Sequence, residues 1–96
     1  MVGIDNKLLK LRLVVYTLAA AFHHLMAEYF SALHHRADTS KVTKEIFDAG
    51  TKYLLALDEL LQHLHTLPPT AEIVAEIERT RRILALLDIE MGLLRG

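Results

Sequence analysis

The chain has 96 residues, of which 52% are hydrophobic, and its formal net charge is -1. It has no cysteine, which excludes a disulfide framework, a thiolate zinc site and a cysteine nucleophile. Acids and bases are interspersed along the chain, without the basic stripe that nucleic-acid binding needs, so we expect no nucleic-acid partner.

The hydrophobic residues recur at helical spacing, and two interruptions divide the chain. The first, at residues 36–40, carries several capping side chains, and the second is the pair Pro68 and Pro69, with Thr70 as the N-cap of the third helix. The pattern predicts helices over about 4–36, 40–66 and 70–95. We expect an all-α, three-helix bundle that forms one domain over residues 1–96, with a long first helix.

The first predicted helix is apolar around about two-thirds of its circumference, against the ~100° arc of an ordinary surface helix. One apolar stripe can face the other two helices. The second needs a different cover, which predicts a homodimer or higher oligomer. The predicted interface residues are Leu9, Tyr16, Ala20, His23, Ala27, Phe30 and His34.

The longest uncharged run, residues 13–27, is shorter than the ~20 residues of a membrane-spanning helix. The N-terminus lacks the pattern of a signal peptide. These features predict a cytoplasmic protein without a membrane span.

Two histidine doublets, His23-His24 and His34-His35, lie eleven residues apart on the first helix. The simplest interpretation is packing at the boundary between apolar and polar faces. The second is a metal site formed by His24, Glu28 and His35, completed by another helix or subunit. The third is a pH switch, because imidazoles at an oligomer interface become charged near pH 6.

The second helix has one apolar face, with Gly50 on it at a position that permits a close helix approach. The third helix carries Arg81 and Asp88 on its apolar side, seven residues apart. Because buried charges need partners, we expect both to be buried and Asp88 to contact Arg81 or His23 of its own chain or of a second copy. The alternative is that both lie at the edge of the apolar stripe and reach water.

Residues 4–11, Ile-Asp-Asn-Lys-Leu-Leu-Lys-Leu, resemble the opening of the helical chorismate mutases. The resemblance implies three helices and a dimer intertwined through the first. Such enzymes hold a dicarboxylate with several basic side chains, whereas no Lys or Arg lies between Arg12 and Arg36 here. The resemblance therefore bears on architecture.

Glycine-rich phosphate loops and known catalytic motifs are missing from the sequence. We therefore expect a non-enzymatic helical assembly module, a scaffold or regulatory protein without a cofactor. Its expected partners are itself and another helical protein. The alternatives are a metal-binding bundle and a small-ligand or enzymatic bundle with a polar site around Arg81, Asp88 and His23.

Overall fold

The structure is a computed structural model that describes residues 5–95, of which Arg95 is described by its backbone alone. It contains three helices, α1 (Asn6–His34), α2 (Ser40–Leu64) and α3 (Ala71–Arg95), and no strand within the described range. The predicted three-helix bundle is confirmed. Residue 4, where the first helix was expected to begin, lies outside the described residues.

Short polar side chains cap the starts of α1 and α3. The Asp5 carboxylate accepts a hydrogen bond from the Leu8 backbone N–H at 2.9 Å, and the Thr70 hydroxyl accepts one from the Ile73 N–H at 3.3 Å. These bonds satisfy donors that a helix leaves free in its first turn. The end of α1 is followed by Arg36 at φ 55°, in the left-handed region, where the chain turns towards α2.

The central helix is α2, which packs against both of its neighbours. It has one buried face, which includes Gly50, as the sequence predicts, and α1 and α3 contribute fewer core side chains. The buried hydrophobic residues are Leu8, Leu11, Val15 and Phe22 of α1, Ile46, Tyr53, Ala56, Leu57, Leu60 and Leu64 of α2, and Leu87 and Met91 of α3.

Helices α1 and α3 are splayed apart. Within the described residues, no Cα atom of α1 lies within 8 Å of a Cα atom of α3. They meet instead through side chains near their N-termini, where the Arg12 guanidinium donates to both carboxylate oxygens of Glu76, from Nε at 2.9 Å and from Nη2.

The expected burial of Arg81 and Asp88 is wrong, since both are exposed. Among residues 5–95, the Asp88 side chain forms no hydrogen bond or ion pair, and Arg81 Nη2 lies 3.4 Å from His65 Nε2. Because α3 packs closely against α2 alone, only a narrow arc of it is covered. The polar residues in that arc are Glu76 and Thr80.

Candidate functional site

All seven side chains that were predicted to form an interface on α1 lie on the exposed surface of the single chain. The large ones are well uncovered: Tyr16 is 66% exposed and Phe30 is 59% exposed. Leu8, Leu11, Val15 and Phe22, on the other side of the same helix, are in the core. The helix therefore has one apolar side against α2 and a second apolar side without a cover in the chain itself.

Helix α3 extends this exposed surface, which the sequence pattern indicated on α1 alone. Its side chains Ile83, Leu86 and Leu93 are exposed and line grooves together with residues of α1. We call the combined surface the α1/α3 face. It consists of Leu9, Tyr16, Phe30 and Leu33 of α1 and Ile83, Leu86 and Leu93 of α3.

The splay of the two helices leaves an open groove of about 550 Å³ on this face, towards the C-terminal ends of α1 and α3. A smaller groove of about 190 Å³ continues towards the middle, and His23 and Glu90 line both. The residues lining the larger groove are His23, Met26, Tyr29, Phe30, Leu33, Glu90, Leu93 and Leu94. Its wall is therefore mainly apolar, and the polar groups of its lining residues are one imidazole, one carboxylate and one phenol.

The smaller groove is also lined by Tyr53 of α2. Burial raises the pKa of the Tyr53 phenol, and the negative charge of Glu90 raises it further. The phenol therefore stays neutral at physiological pH. The smaller groove therefore has a neutral phenol and a carboxylate in its lining, beside the imidazole of His23.

The proposed metal ligands do not come together within one chain. His24 Nε2 lies 3.0 Å from Glu28 Oε1, with both side chains more than half exposed, as expected for residues one turn apart. The ring of His35 instead lies against that of His34, with centroids 5.2 Å apart. Among residues 5–95 no group of three or more potential ligands is close enough to hold an ion. A metal would need ligands from a second copy.

Two contacts between distant residues were not predicted. The Arg12–Glu76 pair joins α1 to α3, and His63 Nε2 lies 2.9 Å from Asp5 Oδ2 where the end of α2 meets the start of α1. Both join residues about sixty positions apart, so no local spacing in the sequence indicates them.

Helix α1 is long and apolar enough to cross a membrane when judged by length and composition, with mean hydropathy 1.3 over an 18-residue window. This window is 22% buried in the bundle. Such a composition is also that of a helix with one side in a core and a second side at a protein interface. The expected absence of a membrane span therefore stays a prediction.

No known protein family, curated protein or solved structure matches the chain. The likeness of residues 4–11 to helical chorismate mutases likewise stays a resemblance. The α1/α3 face is therefore the feature from which a function can be inferred.

Proposed function

We propose that the protein is a non-enzymatic helical assembly module that self-associates by packing its α1/α3 face against a second copy. The observation that carries this proposal is the set of large exposed apolar side chains on two helices of a small chain, several of which line grooves between those helices. Monomeric soluble proteins rarely expose large contiguous apolar patches, and such patches mark protein or membrane interaction sites and ligand-binding grooves.

The surface area of the chain supports the same conclusion. Its solvent-accessible surface is 6884 Å², whereas a compact monomer of this mass exposes roughly 5,600 Å². The difference, about 1,300 Å², exceeds the ~800 Å² that each partner buries in a standard interface. The single chain thus has surface enough for a partner of its own size.

The hydrophobic gain is of the magnitude that association requires. Fully burying a leucine or phenylalanine contributes about 1.5–3 kcal/mol, so covering a half-exposed one contributes about 1 kcal/mol. Seven such residues on each of two copies give about 14 kcal/mol, against an association cost of about 4–15 kcal/mol. Apolar burial can therefore offset this cost, and polar contacts then set the affinity.

Light scattering after size exclusion tests the proposal directly. We expect a dimer for the natural chain and a monomer for Leu93→Asp, which places a charge in the lining of the larger groove. Leu55→Asp is the matched control, because Leu55 is a similarly exposed leucine on α2, outside the α1/α3 face. A monomeric natural chain, or equal effects of the two substitutions, would contradict the proposal.

The same measurement separates the interpretations of the histidines when it is repeated at pH 5.5 and with EDTA. Dissociation at pH 5.5 alone would assign a proton-sensitive role to His23 and His34, which lie on the α1 side of the surface. Dissociation with EDTA alone would favour a metal shared by His24 and Glu28 of two copies. Flotation with neutral lipid vesicles, without dimer in solution, would instead favour a membrane as the cover of α1.

A further inference from the structure

Four side chains on one side of α3 form a symmetric pattern. A charged residue lies at each end and an aliphatic residue at each inner position, and the two end charges are opposite. Arg79, Ile83, Leu86 and Glu90 follow each other at spacings of four, three and four residues. This is the spacing of helix residues that share one side. We call these four residues the α3 seam. Ile83, Leu86 and Glu90 line the smaller groove, and Arg79 with Ile83 lines an adjacent one.

From this pattern we infer that the second copy packs antiparallel to the first, with the two α3 seams against each other. This inference rests on the proposed self-association and adds its orientation and the contacts that fix it. Reversing one helix about the middle of the seam brings Arg79 opposite Glu90 of the second copy and Ile83 opposite Leu86 of the second copy. Every position of the seam then meets a complementary one, and each charged pair occurs twice.

The same operation suits the rest of the α1/α3 face. The Arg12–Glu76 contact places each residue of α1 level with the residue of α3 whose number is higher by 64. The middle of the seam is thus level with residues 20–21 of α1. Reversal about this level brings Leu9 of the second copy opposite Phe30 and Leu33, at about 1.5 Å per residue. A large apolar side chain therefore reaches the open groove.

A parallel dimer lacks this complementarity. A two-fold axis along the helices would place α3 of one copy against α1 of the other. The acids of α1 and its cap in the described range are Asp5, bonded to Leu8 N–H and His63, and Glu28, paired with His24. Arg79 would then lie level with Tyr16 without an acid to meet it. Charge complementarity therefore selects the antiparallel arrangement.

Charge reversal tests the orientation. We expect Arg79→Glu and Glu90→Arg each to raise the dimer dissociation constant at least about tenfold, because each places two like-charged pairs in the interface. An equimolar mixture of the two variants should form a heterodimer with near-natural affinity, since both charge pairs are restored. The double variant should recover homodimer affinity for the same reason. Sedimentation equilibrium, or energy transfer between labelled copies, measures these constants.

Arg81→Glu and Glu78→Arg are the matched controls, because they reverse exposed charges on the same helix away from the seam. They should leave the dissociation constant within about twofold. If the natural chain is a dimer but the single variants match these controls, or their mixture fails to pair, the antiparallel orientation is wrong and self-association stands. If the natural chain is monomeric, both self-association and the antiparallel orientation are wrong.

Disulfide crosslinking gives a second, independent readout, because the chain has no cysteine of its own. Leu86 is close to the middle of the seam, so Leu86→Cys should crosslink to the same residue of the second copy under mild oxidation. The two copies of Leu93 would be roughly 25 Å apart along the helix axis, so Leu93→Cys should not crosslink. If both variants crosslink to a similar extent, the antiparallel arrangement is wrong. It is also wrong if the chain is shown to dimerise and neither variant crosslinks.

Discussion

Glu76 is a carboxylate held in the interior of the bundle by Arg12 of another helix. Its side chain is nearly covered, whereas that of Arg12 remains one-third exposed. The paired carboxylate raises the pKa of the Arg12 guanidinium, first through their hydrogen bonds. Without its partner, the Arg12 guanidinium can be solvated, whereas the Glu76 carboxylate cannot. Removal of the partner should therefore change the free energy of unfolding by different amounts in the two cases.

Removing the Arg12 side chain should consequently lower the free energy of unfolding more than removing the Glu76 side chain does. Arg12→Ala leaves a buried carboxylate without a partner and should lower the free energy of unfolding by about 2–3 kcal/mol. Glu76→Ala leaves a guanidinium that reaches water, and about 1–2 kcal/mol is expected. Urea denaturation of both variants and of the double variant checks this order, and the double variant should lose less than the sum. Equal single losses that add would show that the pair contributes nothing.

Gly50 gives α2 its closest approach to the side chains of both other helices. A Cβ atom at this position would lie 2.7 Å from Met91 Sδ and 3.3 Å from Phe22 Cε1, both in the core. The tighter of these distances is below van der Waals contact. Met91 is flexible, but it is nearly fully buried and has little room into which it can move.

Gly50→Ala should therefore destabilise the fold despite alanine's better helix propensity. Overpacking costs about 1–3 kcal/mol, and replacing a helical glycine returns about 1 kcal/mol. We expect a net loss of about 1 kcal/mol, or roughly 4–8 °C in Tm. Gly92→Ala is the control, because no atom outside its own helix environment lies within 4 Å of a Cβ there. It should gain about 0.5–1 kcal/mol, and equal shifts in Tm would exclude a packing role for Gly50.

At the scale of the element, Asp5 begins α1 and joins it to the end of α2. The Leu8 N–H bond, and after it the bond to His63, lowers the pKa of the Asp5 carboxyl below its usual range. Because the folded-state pKa is below the unfolded one, the ionised carboxylate stabilises the fold above the unfolded value. This contribution is lost as the pH falls through the folded value.

Asp5→Asn should accordingly be less stable than the natural chain at pH 5, and this gap in stability should narrow as the pH is lowered to about 2. Asparagine keeps an oxygen that can accept the Leu8 N–H bond, so the substitution removes charge more than capping. Thermal unfolding followed by circular dichroism between these pH values measures the gap. A gap that stays constant as the pH falls would show that ionisation of Asp5 makes no contribution to stability.

The helices themselves were predictable from the sequence, because the signals that delimit them are local. Thr70 and the two prolines before it separate α2 from α3, and the observed ends of the helices fall within about two residues of the expected ones. Residue spacing also identified the second apolar side of α1. Each of these features depends on residues within a few turns of one another.

The direction in which α3 buries its residues was not predictable in this way. Apolar side chains occur all around it, since Leu87 and Met91 are buried while Leu86, Ile89 and Leu93 are exposed. Periodicity then gives no preferred side, which is why the expected burial of two charged residues on this helix is wrong. The side of α3 that is covered depends on how closely α3 approaches α1. Contacts between residues far apart in the sequence set that distance.

At the scale of the whole molecule, three helices of 25–29 residues side by side make the molecule long and thin, with extents of 57 × 21 × 17 Å. Its radius of gyration is 15.8 Å, against about 12.5 Å for a compact domain of this length. A core spread along such a rod buries less apolar surface per residue than a compact one. A second copy on the α1/α3 face would thicken the rod where its core is thinnest.

If the second copy completes the core in this way, folding and assembly are one equilibrium, and stability depends on protein concentration. A hundredfold dilution should lower the free energy of unfolding by about 2.7 kcal/mol per dimer, or roughly 7 °C in Tm for two chains of this length. Thermal unfolding at two concentrations a hundredfold apart measures the shift. Leu93→Asp, whose dimer should not form, serves as the control and should melt at one temperature throughout. A natural chain whose Tm is equally indifferent to dilution would show that the three helices are stable alone, and the α1/α3 face would then need no second copy for folding.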